Sequence, residues 1–469
     1  MLVSMSSSWT CPFSGRNVAL LQSSLCESVP GELFRDELTQ FLSWKAPVDG
    51  ALFVFGGRSG RLGDASQYLS AVEYLDPTSL EWRRAPDMKY ARVGLAAVYL
   101  ENNFYVIGGY NQQSSEPQRS VERLAIESFI WESCAPLLVP RYGHSACVCG
   151  GKIYVMGGDH SGILIPFAER FDPCTNSWER IPDMPLRVAA SRAVCLDEKI
   201  FLFGGCDPSV PGDRASDAIL MFDPETNRWS ILAKRMRLGR TAFSLAPLMN
   251  GRKGVVIAGG FDLSSRPEIE VGSVEIIKDL VAVASNLDSG DDRPVSPTTL
   301  LPPLPLPRAG CQGVAIPTNH LPVHLENCSE MPFIVLGGEY VDPLTGRCRV
   351  FDTATMLINK SFPVSRKDGG DGLAGIAGRA LLAAFKRRQR RAPSSGEESP
   401  LTWSDQVIPP MLRRRTAFAA CVGKIWPKGH PYSGFSGLTG SEVESTATGD
   451  SVESLRERTR SSYFSDWFS

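Results

Sequence analysis

The chain is poor in the groups that catalysis and metal binding use. It has five histidines in 469 residues. His144 sits in a strand-like apolar run as a packed side chain, and His430 lies in a polar tail. His320 and His324 are separated by Leu321 and Pro322, which opposes the helix that would align them as ligands. Only His160, beside Asp159, occupies a loop suited to a catalytic group, and it has no evident partner in the sequence. There is no phosphate-binding loop, no nucleophile elbow and no zincin helix. The twelve cysteines include no C-x-x-C pair, so most read as small buried hydrophobes in a reducing compartment. No apolar run approaches the roughly 18 residues of a membrane span, and the first residues, MLVSMSSSWTCPFSGRNV, lack the basic start and apolar centre of a secretory signal. Lysine plus arginine (49) nearly balances aspartate plus glutamate (51), so no global charge points to nucleic acid or to a membrane surface. These absences predict a cytoplasmic protein, with the nucleus as the alternative, that has no metal, no cofactor and no enzyme activity.

What is abundant is a repeat. Six hydrophobic runs end in Gly-Gly: Gly56 and Gly57, Gly108 and Gly109, Gly157 and Gly158, Gly204 and Gly205, Gly259 and Gly260, Gly337 and Gly338. The intervals are 52, 49, 47, 55 and 78 residues. Continuous rather than alternating hydrophobicity marks strands covered on both faces. Beyond each Gly-Gly comes a polar loop, then a third strand ending at Asp76, Asp172, Asp223 and Asp352. Trp82, Trp178 and Trp229 each stand six residues after such an aspartate, and Trp131 keeps the spacing from Ala125. A proline-centred linker follows (Pro86-Asp87-Met88, Pro182-Asp183-Met184, Pro409-Pro410-Met411) and leads to a strand headed by arginine at 92, 141, 187, 240, 308 and 415.

Together these features resemble the kelch repeat over about residues 51–426, which implies an all-β, six-bladed β-propeller with one four-stranded sheet per blade. The fifth repeat departs in lacking tryptophan. The acidic residue of the third strand (Glu73, Glu122, Glu169, Glu275) becomes Leu220 and Arg349 in the fourth and sixth repeats. The chain enters the repeats at a Gly-Gly strand and leaves them at an arginine-led strand. In the kelch arrangement the arginine-led strand is innermost, so Thr416 to Val422 is expected beside Ala51 to Phe55, closing the first blade. The outer strand of the sixth blade is expected at Trp403, where Ile408 to Arg415 repeats the linker, rather than at Met356.

Strand alternation puts the Gly-Gly loops on one face of the ring, and insertions at 278–299, 317–331 and 353–400 on the other, over blades five and six. The last insertion carries a basic run, Lys386, Arg387, Arg388, Arg390 and Arg391, which reads either as a solvated loop or as an import or docking signal. In kelch adaptors the Gly-Gly face typically captures a peptide. Here it is expected to present Arg58, Arg61, Tyr110, Asn111 and His160, with Arg235, Arg237, Arg413 and Arg414 from the linkers. Converging arginines would suit an acidic motif of a protein partner. The flanks are a segment at 1–50 with one amphipathic helix around Leu33, Phe34, Leu38, Phe41 and Leu42, and a polar tail at 427–469 expected to be disordered. Neither a BTB nor an F-box domain is recognisable. The resemblance implies a protein-interaction module, namely the substrate-recognition part of a cullin-RING ubiquitin ligase if an adaptor domain is supplied. The alternatives are an actin-associated scaffold and, further off, a propeller enzyme of the sugar isomerase or copper oxidase type.

Overall fold

The computed structural model describes residues 48–60, 68–111, 113–206, 215–248, 254–263, 269–278, 280, 298–316, 333–341, 348–359 and 401–425. The expected N-terminal helix, the polar tail, the basic run and Arg61 lie outside the described residues. Six four-stranded antiparallel sheets follow one another as blades of a propeller. Blade I is the sheet of Trp82–Ala85, Val72–Leu75, Val48–Phe55 and Ala419–Ile425, so its innermost strand comes from the far end of the propeller sequence. Seven residue pairs join Val48–Phe55 to Ala419–Ile425, with a bulge between Asp49 and Ala51. No helix among the described residues is long and apolar enough to cross a membrane.

The uninterrupted apolar runs are explained by where the core sits. Alternate side chains of one strand face opposite neighbours: Phe53 and Phe55 pack with Phe104, Val106 and Leu124 of blade II, while Leu52 and Val54 pack with Ile334, Leu336 and Met356 of blade VI. Each of the six junctions between blades holds such a cluster. Indole N–H groups reinforce the junctions. Trp82, Trp131, Trp178, Trp229 and Trp403 donate to the carbonyls of Pro409, Pro86, Ala135, Pro182 and Pro302 in the linker leaving the preceding blade, at 2.7–2.9 Å. Blade V has no tryptophan, and there the linker residue at the acceptor position is Lys234, whose buried ammonium donates to the Lys278 carbonyl at 2.7 Å.

The Gly-Gly pairs lie where backbone meets backbone. Gly56 has φ +58°, and a Cβ there would stand 2.7 Å from the Arg92 carbonyl of the next blade. Gly57 has φ +89°, and its N–H donates to that same carbonyl at 2.9 Å. Only glycine meets both demands without strain. Two residues after each arginine position stands a second small residue: Gly94, Gly143, Ala190, Ala242, Gly310 or Ala417. All six have positive φ, between 50° and 62°. Their N–H groups donate round the axis, from each to the carbonyl of its counterpart in the preceding blade, at 2.6–3.0 Å, and Gly94 to Ala417 completes the circle. Propeller closure is therefore double, by one sheet at the perimeter and by a six-membered backbone ring at the axis.

A buried ion pair organises four blades in the same way. Arg92, Arg141, Arg240 and Arg415 pair with Glu122, Glu169, Glu275 and Glu73 of their own blades. Each arginine also donates to the carbonyl of the first glycine of the Gly-Gly pair in its blade. Each glutamate also receives a linker N–H, from Lys89, Leu138, Arg237 and Leu412 respectively. Desolvation depresses the guanidinium pKa values and the paired carboxylates oppose the shift.

Blades IV and VI correct four sequence expectations. In blade IV the residue whose carbonyl meets Gly158 is buried Val188, whereas Arg187 is exposed one position away. Leu220, opposite Leu202, stands at the glutamate position, and the linker donor position is Pro185, which has no N–H. Arginine, glutamate and N–H are thus absent together, and a half-made polar network is avoided. In blade VI the third strand is Ala354–Asn359, not a run ending at Asp352, because Cys348–Val350 folds back on Glu339–Val341 as a hairpin. The residue replacing glutamate is consequently Thr355 rather than Arg349, and the insertion begins at 360 rather than 353. Trp403 does lie in the outer strand, Leu401–Ser404. Arg308 is retained without a paired carboxylate among the described residues, stacked over Phe351 at 4.5 Å and donating to Thr353 Oγ1 at 3.0 Å.

His144 makes a pH prediction. It fills the place taken by Leu95, Phe243 and Phe418 in other blades, and neither ring nitrogen has a hydrogen-bond partner. Burial, reinforced by Arg141 and Arg92 and opposed by the Ile107 carbonyl, pushes its pKa down from 6.5 to about 3. The unfolded chain therefore binds a proton between these values that the folded chain does not. Stability should fall as pH drops below 6.5, by about 1.4 kcal/mol per unit. Urea unfolding of wild type and His144→Leu across pH 4–7, roughly the window of the shift, checks this. A slope unchanged in His144→Leu contradicts it.

Candidate protein-binding face

Six isolated bridges frame the mouth of the axis on the Gly-Gly face. Each joins the residue after an arginine position to the residue after a Gly-Gly: Thr416 with Arg58, Val93 with Tyr110, Tyr142 with Asp159, Ala189 with Cys206, Thr241 with Phe261, and Ala309 with Glu339. Four of the Gly-Gly loops then continue as short hairpins. The wall so formed is largely apolar, with Val93, Cys206, Phe261, Leu263 and Ala309 buried together, and Tyr68, Tyr110, Leu164 and Ala215 half-exposed against them. Three tyrosines stand edge to face along it, Tyr68 to Tyr110 at 6.4 Å and Tyr110 to Tyr142 at 5.5 Å.

The mouth neutralises its own charges. Arg58, expected as an exposed anchor, is 2% exposed and donates through one nitrogen to both carboxylate oxygens of Glu339, at 2.9 and 3.0 Å. The sequence could not show this partner, which lies 281 positions away. The Asp159 carboxyl accepts the Gly162 N–H at 2.7 Å and the Tyr142 hydroxyl. Burial raises its pKa, while those bonds and His160 oppose the rise. Burial and then Asp159 raise the Tyr142 pKa. Burial likewise raises that of Tyr68, opposed by Arg58. All three shifts mark a poorly hydrated pocket.

The other expected residues distribute as follows. Tyr110 is half-buried in the wall, and Asn111 is buried, with its Oδ1 accepting the Gln113 N–H at 2.8 Å. His160 is partly exposed, with Nδ1 buried and unpartnered. Arg235 is exposed and makes a 3.3 Å surface contact with Asp217, and Arg237 is exposed. Arg413 and Arg414 are exposed three and two residues before Thr416. Arg235 and Arg237 belong to the linker entering blade V, whereas Arg413 and Arg414 belong to the linker entering blade I. The four linker arginines therefore form two separate groups. Exposed Leu412 stands beside Arg413, Ile163 in the hairpin of His160, and Leu138 on the linker entering blade III. Tyr68, Tyr142 and Phe261 join the wall without having been expected there, and the signal for Phe261 is its fixed place directly after Gly-Gly, which also marks Glu339 as a residue of this face. Among the described residues no group of three or more His, Cys, Asp or Glu is placed to hold a metal ion.

Residues 45–260 match the family model described as the KLHDC2/KLHL20/DRC7 Kelch-repeats domain. Human kelch-like protein 23 is similar, 31% identical over 166 residues that cover 35% of this chain and 29% of that protein. Human kelch repeat and BTB domain-containing protein 12 is 28% identical over 209 residues, 40% of this chain and 33% of that one. Beta-scruin of Limulus polyphemus is 27% identical over 237 residues, 48% of this chain and 25% of that one. The matches span about a third or less of these relatives. Residues 45–260 thus carry kelch repeats, and blades V and VI repeat beyond residue 260 the four-stranded architecture of the matched blades.

Proposed function

We propose that the Gly-Gly face captures a segment of a partner protein, with an uncharged or aromatic side chain entering the mouth and an acidic flank meeting Arg413 and Arg414. The observation that carries this reading is the juxtaposition of a tyrosine-walled mouth, whose charges pair internally, with surface arginines next to its Thr416–Arg58 edge that make no ion pair among the described residues. Uncharged groups gain by leaving water there, whereas an incoming carboxylate at Arg58 would have to displace Glu339. Exposed arginines can offer bidentate bonds to acidic side chains at the rim. Selection of a displayed peptide library on the purified chain tests it. Acidic peptides bearing an aromatic or aliphatic residue should be enriched, Tyr110→Ala should lower their affinity at least tenfold, and Arg413→Glu with Arg414→Glu should remove the preference for acidic flanks. Absence of any enriched motif, or enrichment untouched by both variants, contradicts the reading.

In the cell this module would act in the cytoplasm or nucleus, where its free thiols stay reduced. It would serve as the substrate-recognition part of a cullin-RING ubiquitin ligase when an adaptor domain is supplied in the same protein or by a partner. The name of kelch repeat and BTB domain-containing protein 12 gives one precedent for the pairing of kelch repeats with another domain.

A further inference from the structure

Beneath the backbone ring lies an axial cavity of about 30 Å³, lined by the ring residues together with Arg192, Gln312 and His144. That volume admits one or two water-sized occupants. Arg192 opens the innermost strand of blade IV, at a position that is alanine, serine or glutamine in the other five blades (Ala96, Ser145, Ser244, Gln312, Ala419). Its guanidinium crosses the axis, donating to the Ser191 carbonyl at 3.1 Å and to the Cys311 carbonyl of blade VI at 3.3 Å. Its Nε is buried with no partner, and no ion pair reaches it among the described residues. Enclosure away from any carboxylate depresses its pKa to about 10. The buried arginines that lead into the innermost strands either meet a glutamate or stack on an aromatic ring. Arg192 is partly exposed as a residue, but its Nε is enclosed, so a positive charge lines a small cavity with only carbonyl dipoles and neutral side chains around it among the described residues, and a charge drawn from water without a counter-charge is costly.

We propose that this cavity binds a monatomic anion, chloride being the abundant one of fitting size, held by Arg192 on the propeller axis. A tetrahedral oxyanion is too large, and a carboxylate side chain entering from the Gly-Gly face would be stopped by the closed backbone ring. The anion ties blade IV to blade VI through the arginine that already spans them. It is a structural ligand, separate from the peptide-binding role.

The test uses the full chain prepared without halide. The ³⁵Cl NMR linewidth should show saturable broadening, displaced by bromide and weakened at least tenfold in Arg192→Gln. A crystal grown in bromide should give an anomalous peak beside Arg192. Broadening without a saturable part, broadening equal in Arg192→Gln, or an axis free of anomalous signal overturns the proposal. If Arg192→Gln does not fold, the wild-type anomalous signal decides alone.

Discussion

Ending the chain after Arg415 is expected to abolish the cooperative unfolding transition, or to lower stability by more than about 5 kcal/mol, a large part of what a domain has. The deletion removes the whole strand Ala419–Ile425 and the seven residue pairs it makes with Val48–Phe55. It also removes Ala417, which both accepts from Gly94 and donates to Gly310 in the axial ring, and Thr416, whose bridge to Arg58 closes the mouth. Buried Phe418 and Ile425 leave two different junction clusters. Blade I would then expose the inner edge of Val48–Phe55, an invitation to pair with another chain. Thermal scans and light scattering of the truncated chain check this. A truncated protein that unfolds cooperatively near the wild-type midpoint contradicts it.

The second large effect concerns the buried ion pairs. Glu122→Leu alone leaves the Arg92 guanidinium fully buried without its carboxylate and strips the Lys89 N–H of its acceptor, at an expected cost of about 3–5 kcal/mol. Blade IV shows how the chain does without the pair: Val188, Leu220 and Pro185 occupy the three positions together. The triple variant Lys89→Pro, Arg92→Val, Glu122→Leu should therefore lie within about 2 kcal/mol of wild type, since buried pairs replaced as a unit by apolar groups are often neutral. Urea unfolding of wild type, Glu122→Leu and the triple variant measures the difference. A triple variant no more stable than Glu122→Leu would show that the arginine and glutamate stabilise by some route other than satisfying each other.

The fold was legible because its strongest constraints are local. Gly-Gly with positive φ, tryptophan at a fixed distance from aspartate, and the offset between the first Gly-Gly strand and the last arginine-led strand all sit within short windows or a simple count. The axial ring was less visible, since Ala190, Ala242 and Ala417 adopt positive φ that alanine does not advertise. Its trace was the small residue two places after every arginine position. Blade VI misled because the hairpin of Glu339–Val341 with Cys348–Val350 imitates the start of a third strand and shifts the apparent register. The candidate site was only partly legible. Its position on the Gly-Gly face follows from topology, but Arg58 owes its state to Glu339 across the mouth, a contact that no spacing rule predicts.

Hydrogen exchange of the full chain, followed by mass spectrometry, tests the closed ring most directly. If Ala419–Ile425 completes blade I, its amides and those of Leu52–Phe55 exchange together, as slowly as Phe104–Ile107 in the middle of blade II. Fast exchange of 419–425 beside slow exchange in blade II would contradict closure by that strand.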